Sequence, residues 1–143
     1  MYLWDTNILR HFGDHHPVLD QHIAQISWQE IALPSIVLAE ALRGRCEFAL
    51  KATPEQAPFA NQQLFKTYRS LLRFNILVFD EPSAKELVDL KRKVKGRKKR
   101  HADIMIAAMA IAGGHVVVTR NLRHFADLLP ARQLANWIDH PPT

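Results

Sequence analysis

Cysteine is almost missing from this sequence. Its 143 residues include one, Cys46, so no internal disulfide framework is possible and a packed core must hold the fold. A reducing compartment suits that usage. Glycine is scarce too, at five residues, and no glycine-rich loop that could cradle a nucleotide phosphate is present. Long apolar runs are lacking. The best of them, Ile104 to Val118, is too short for a membrane span and is broken by Gly113, Gly114 and His115. The segment Met1 to Asp5 has no basic residues and reaches a carboxylate at its fifth position, unlike a secretory signal. The expectation is a soluble cytoplasmic protein that does not engage a membrane.

Hydrophobic residues are 48% of the chain and charged residues 23%, enough for a real core and unlike a disordered sequence. By length, residues 1–143 read as a single domain. The net charge of +5 favours an anionic partner: nucleic acid, an acidic protein segment or a phospholipid face.

Short apolar runs alternate with helical patterns. Strands are expected at Tyr2–Trp4, Ile31–Leu33, Ile76–Phe79 and Val116–Val118, with a last short one within Leu134–Ile138. Helices are expected from Thr6 to Phe12, from Pro17, from a Ser35 cap to Arg43 with Gly44 as the stop, and from Phe59 to Phe74. Ala49 to Pro58 reads as a loop. Ser83 and Glu86 form a capping-box pattern, with Ala84, Leu87, Val88 and Val94 as the buried stripe that follows. Asp103 can cap the apolar helix Ile104–Ala112. The alternation predicts an α/β protein, a parallel sheet covered on both faces. In such sheets the functional site lies outside the carboxyl ends of the strands.

Acidic residues fall at those places. Asp5 ends the first strand, Glu40 sits among Ile36–Ala39 and Ala41–Leu42, and Asp103 opens the apolar helix. A carboxylate on an apolar helix face is costly unless it is paired or bound to a cation. Converging carboxylates with no adjacent Cys or His ligands suit a hard ion, Mg²⁺ or Mn²⁺. Taken singly, Asp103 reads first as a helix cap, and Asp5 reads equally as a turn former in Asp5-Thr6-Asn7.

As a set, Leu3–Asn7, Ser35–Leu42, Gly96 with Asp103–Ala108, and Val118–Phe125 resemble the four motifs of PIN domains. More narrowly they resemble the VapC-type toxins of bacterial toxin–antitoxin pairs, and Ala135–Trp137 is similar to the end of that family's last strand. The resemblance runs in order through nearly the whole chain. It implies a three-layer α/β/α sandwich around a parallel sheet, and a Mg²⁺- or Mn²⁺-dependent endoribonuclease. By it, Asp5, Glu40 and Asp103 correspond to three acidic metal ligands and Asn121 to a fourth site, where many members have Asp. Thr119 corresponds to a hydroxyl residue beside that site, and Thr6 or Asn7 to groups that position the first carboxylate. It further implies transfer or ribosomal RNA as substrate, a cognate antitoxin, a homodimer, and products with 5′-phosphate and 3′-hydroxyl ends. Where relatives often carry a Pro-Ile pair, this chain has Arg97–Ala102.

Eight of the 19 Lys and Arg residues lie between Lys91 and Arg100. Since an acidic site repels RNA, a cationic track is needed beside it. Lys98, Lys99 and Arg100, with Arg43, Arg45, Arg120 and Arg123, are the candidates, and an acidic antitoxin segment is a second ligand for the same surface. Lys91 to Lys93 read as a solvated face. His11, His15 and His16 read as surface residues and Cys46 as a bystander, while His124 either faces the site or the solvent. Trp4, Trp28 and Trp137 are expected in the core or an interface, and Phe59, Leu64, Phe65, Tyr68 and Leu72 in the core, with a partner or dimer face as the second reading. Among rivals, a haloacid-dehalogenase-like phosphatase needs a second acid where this chain has Asn7. A non-catalytic PIN-type RNA-binding or scaffold protein is the other rival, against which stand the intact Asp5, Glu40 and Asp103.

Overall fold

The computed structural model describes residues 1–94 and 100–143. Five parallel strands form one sheet in the order β3-β2-β1-β4-β5. They are β1 (Tyr2–Trp4), β2 (Ile31–Pro34), β3 (Asn75–Leu77), β4 (Val116–Val118) and β5 (Leu134–Ala135). The helices are α1 (Thr6–Gly13), α2 (Pro17–Ile23), α3 (Ser35–Lys51), α4 (Ala57–Leu71), α5 (Glu81–Lys93), α6 (His101–Gly113) and α7 (Leu122–Phe125). This is the α/β/α sandwich expected. Among the described residues no helix is long and apolar enough to cross a membrane.

β1 is the centre of the sheet, and its residues Leu3 and Trp4 are fully buried. Trp4 anchors an aromatic cluster, with Phe12, Phe74 and Trp137 ring centroids 5.4, 5.5 and 6.4 Å away and Trp28 at 6.2 Å in an edge-on arrangement. The tryptophans are thus core residues. α6, apolar almost all round, buries Ile104, Ile106, Ala107, Ala108, Met109 and Ala110. The chain steps from β1 to β2 and β3 on one side, and β4 and β5 lie on the other. The strand order therefore reverses beside β1, and the carboxyl ends of β1 and β4 flank that switch point.

Several boundaries differ from the sequence reading. α3 passes through Gly44 and continues to Lys51, because its packing against α4 outweighs a glycine penalty of about 1 kcal/mol. Ser35 does not cap α3; its hydroxyl instead accepts the Phe79 N–H at 3.0 Å and ties α3 to the chain after β3. The loop is correspondingly shorter, residues 52–56, since Pro58 fits the first turn of α4. α5 is capped by Asp80, which accepts from Ser83 N–H at 3.0 Å and Ser83 Oγ at 2.6 Å, so Ser83 is a buried third residue and not the cap. Ala84 and Val88 of its expected buried stripe are exposed; Leu90 is buried instead. α6 starts at His101 and places Asp103 in its first turn, past the cap position; Gly114, at φ +67°, ends it in the left-handed region that glycine tolerates. β3 stops at Leu77 and β5 at Ala135, although Trp137 and Ile138 beyond β5 remain buried. The largest correction is α4, where Phe59, Phe65, Tyr68 and Leu72 are exposed rather than core.

Candidate active site

Asp5 follows β1 directly. Its N–H donates to the Val118 carbonyl at 3.2 Å, extending the β1–β4 pairing by one residue, and its side chain caps α1 by accepting the Ile8 N–H at 3.0 Å. The other carboxylate oxygen accepts the Thr119 hydroxyl at 2.6 Å. Thr119, wholly buried after β4, also accepts the Asn121 N–H at 3.0 Å. One hydroxyl thus joins the first acid to the fourth motif, so the contact to Asp5 expected of Thr6 or Asn7 is made by Thr119. The Asn121 side chain is exposed at the head of α7.

Glu40, half-buried on α3, accepts the Thr6 hydroxyl at 3.0 Å. Thr6 was expected to position the first carboxylate; the structure gives it to Glu40, because the first residue of α1 points across to α3. The Asn7 side-chain oxygen is buried without a hydrogen-bond partner. Asp103, half-buried, has its carboxylate 3.7 Å from His124 Nδ1, so His124 faces the site.

The three acids sense one another. Burial pushes the Asp5 carboxyl above the ordinary aspartate value; hydrogen bonds from Thr119 and Ile8 oppose this, and the Asp103 charge adds to it. Burial likewise raises Asp103; His124 opposes, Glu40 adds a further rise, and Arg100 opposes. Asp5 thus couples to Asp103, and Asp103 to Glu40, at the switch point of the sheet. Among the described residues no three acidic, imidazole or thiol groups already stand close enough to clasp one ion. The donor chemistry nevertheless fits a hard divalent cation: every donor is oxygen, and crowded carboxylates raised by burial and mutual repulsion are what such a cation relieves.

The expected cationic track fares differently along its length. Lys98 and Lys99 lie outside the described residues. Arg100 is committed to a two-pronged ion pair with Asp127, at 2.9 and 2.7 Å, and to the His124 carbonyl. Arg120 makes a similar pair with Asp139, at 3.2 and 3.1 Å. Arg43 is exposed on α3. Neither Asp127 nor Asp139 drew notice in the sequence, where each is an ordinary surface acid 27 and 19 residues from its partner. Only the spatial approach of the loops reveals the pairing.

The fold is that of an α/β protein, a five-stranded parallel sheet with coupled carboxylates at the carboxyl ends of its strands. The sequence profile of the PIN domain matches residues 2–128, and the chain belongs to that family. No curated protein matches it in sequence. Among solved structures, FitAcB from Neisseria gonorrhoeae superposes with a TM-score of 0.70 at 24% identity, covering 98% of this chain and 100% of that one. DNA-bound VapBC from Salmonella typhimurium gives 0.68 at 22% identity over 95% and 97% of the two chains. VapBC2 from Rickettsia felis, bound to a promoter DNA fragment, gives 0.61 at 26% identity over 95% and 98%. A further similar structure, from Klebsiella pneumoniae, is described as a toxin–antitoxin complex.

Proposed function

We propose that this chain is a Mg²⁺- or Mn²⁺-dependent endoribonuclease, the toxin of a bacterial toxin–antitoxin pair, acting in the cytoplasm as a single-domain protomer of a homodimer. The observation that carries this reading is the coupling of Asp5, Asp103 and Glu40 at the switch point, where His124, 3.7 Å from Asp103, is the one basic side chain within ion-pair distance of any of them among the described residues. A purely structural set of buried acids would be expected to hold its own counter-ions. The kinship of fold with toxin–antitoxin complexes supports the partner assignment. So does the exposed apolar face of α4, which suits burial against the antitoxin.

Asp5, Asp103 and Glu40 would hold the cation, with Asn121 as a neutral fourth donor. A bound divalent ion there supplies polarisation of a phosphate oxygen, an acidified water and compensation of the charge that builds up on phosphorus. The chain's own groups do the positioning. Thr119 fixes one oxygen of Asp5 while the Ile8 N–H fixes the other, so that carboxylate cannot rotate. Thr6 orients Glu40. A neighbouring carboxylate would draw the proton from the attacking water. In-line attack then releases 5′-phosphate and 3′-hydroxyl ends from a transfer or ribosomal RNA.

Incubation of the protein with total RNA and Mn²⁺, followed by mapping of fragment ends, tests this reading. Chelator-sensitive cleavage leaving 5′-phosphates is expected. RNA that binds but is never cut would favour the non-catalytic RNA-binding or scaffold reading.

A further inference from the structure

The cations expected beside the acids are partly neutralised by Asp127 and Asp139, but one of them, Arg45, stands with three cations the sequence did not single out. A cleft of about 570 Å³ opens between α1, α3 and α4, lined by Arg10, Arg45, Lys66 and Arg73, with Asp14 its one acidic lining residue. That volume lies within the range of ordinary ligand sites. Among the described residues none of the four cations takes part in an ion pair. Arg73 stands 5.8 Å from the centre of the Phe12 ring, and its own carbonyl accepts the Trp28 indole N–H at 2.9 Å, so the base of this wall is fixed by the aromatic core. Gln63, Thr67 and Ser70 add neutral polar groups from α4.

The cleft is aligned with the acidic site. Thr6 on α1 meets Glu40 on α3, while Arg10, one turn further along α1, and Arg45, five residues further along α3, line the same cleft. The two helices therefore form a seam that starts at the acids and ends at the cations. Along it Arg10 lies about 7.5 Å beyond Asp5, from the helical rise. Uncompensated cations in a concave surface repel one another and concentrate an anion's field there. Guanidinium groups with neutral polar neighbours are matched to the several oxygens of a phosphate.

We propose that this cleft binds backbone phosphates of single-stranded RNA flanking the bond to be cut, with Arg10 and Arg45 as its principal contacts. The inference deepens the nuclease reading and rests on it for the meaning of the flank, but binding can be measured without cleavage. An acidic peptide is the competing occupant. RNA is favoured because the seam leads into an acidic site that a string of carboxylates would meet with repulsion, whereas an RNA strand brings a phosphate that a cation held there can accept.

The test is fluorescence anisotropy of a labelled ten-nucleotide oligouridylate in EDTA over a series of salt concentrations. It compares wild type, the Arg10→Gln/Arg45→Gln double variant, and Arg132→Gln as a control on an exposed position outside the cleft. Both cleft arginines are exposed, and matching melting curves confirm that the double variant folds. The double variant is expected to bind about tenfold or more weaker. Its slope of log K against log salt should be shallower by about 1.4, for two lost single-strand contacts. Arg132→Gln should match wild type. Equal affinity and slope in the double variant would overturn the proposal. So would a deca-glutamate peptide that binds wild type as tightly as the RNA and loses affinity in the double variant. A wild type that cuts RNA while its binding ignores the cleft refutes this inference alone; cleft-dependent binding without any cleavage in Mn²⁺ refutes the nuclease reading alone.

Discussion

The two ends of α1 are opposite in character. Its N-terminus is capped by Asp5 among Asp103 and Glu40, and its C-terminal turn carries Arg10 at the mouth of a cationic cleft. For one acid and one base this needs no functional explanation. An aspartate cap is worth about 1 kcal/mol, and a cation at a helix C-terminus about 0.3–1 kcal/mol through the helix dipole. What the dipole does not explain is the surplus. Asp103 and Glu40 raise the cost of charge at one end, and Arg45, Lys66 and Arg73 crowd like charge at the other. A helix that needed only caps would have stopped at the first residue of each kind. The surplus at each end is what the proposed cation and RNA sites would require.

The largest expected effect comes from neutralising the acidic end. Asp5→Asn should lower Mn²⁺-dependent RNA cleavage by at least about a hundredfold, more than the loss usual for groups that only support a ligand. Melting of the metal-free protein should move the other way or not at all. Asparagine caps a helix as well as aspartate does, and the variant loses a buried charge. An Asp5→Asn protein that unfolds in mild conditions would show that Asp5 serves stability first.

Removing the group that holds Asp5 comes next. Thr119→Val keeps the shape but deletes the 2.6 Å bond to Asp5 and the acceptor for Asn121 N–H. It should cost about 1–3 kcal/mol by chemical denaturation, because a partly buried N–H and a buried carboxylate lose a partner. Cleavage should fall about tenfold to a hundredfold with it. Thr6→Val should weaken cleavage about tenfold through Glu40, with a stability change under about 1 kcal/mol since the bond is only partly buried.

A pH series sharpens the same contrast. The carboxyls of Asp5 and Asp103 are raised above 3.8 in the folded protein. Their contribution to stability is thus fully present below that value and is lost as pH rises through their folded-state pKa values. Metal-free wild type should lose stability relative to Asp5→Asn across that rise, and a divalent cation should restore it near neutrality. Melting temperatures of the two proteins between pH 4 and pH 8, with and without Mn²⁺, check this; parallel curves would contradict it. The smallest effect is expected at Arg100→Gln. Its guanidinium is already occupied by Asp127, so RNA affinity should change by no more than about twofold, the scale of an exposed ion pair.

Much of this site was visible in the residue order. Asp5, Glu40 and Asp103 stood out because each interrupts or borders an apolar run, and Thr119 because it follows a strand of three valines. Their convergence follows from the strand order, which alternating apolar runs suggest and parallel pairing fixes. Other features carried no local signal. The partner of Thr6 lies 34 residues away. Arg100 and Arg120 were counted as free cations because a sequence shows charge but not which loop brings Asp127 and Asp139 against it. The stripe on α4 was rightly helical in period, yet period tells that a face is apolar and not that anything in the same chain covers it. Of the cleft cations only Arg45 was a candidate in the sequence; Arg10 on α1, Lys66 on α4 and Arg73 just past α4 are single basic residues whose meeting no local pattern announces.

The function proposed for this chain depends on a divalent cation bound at the acidic end of α1. Calorimetric titration of Mn²⁺ into the metal-free protein at neutral pH tests it most directly, run in parallel on Asp5→Asn. Saturable binding by wild type, lost or weakened about a hundredfold in the variant, is the predicted result. No binding by wild type, or equal binding by both proteins, would contradict it.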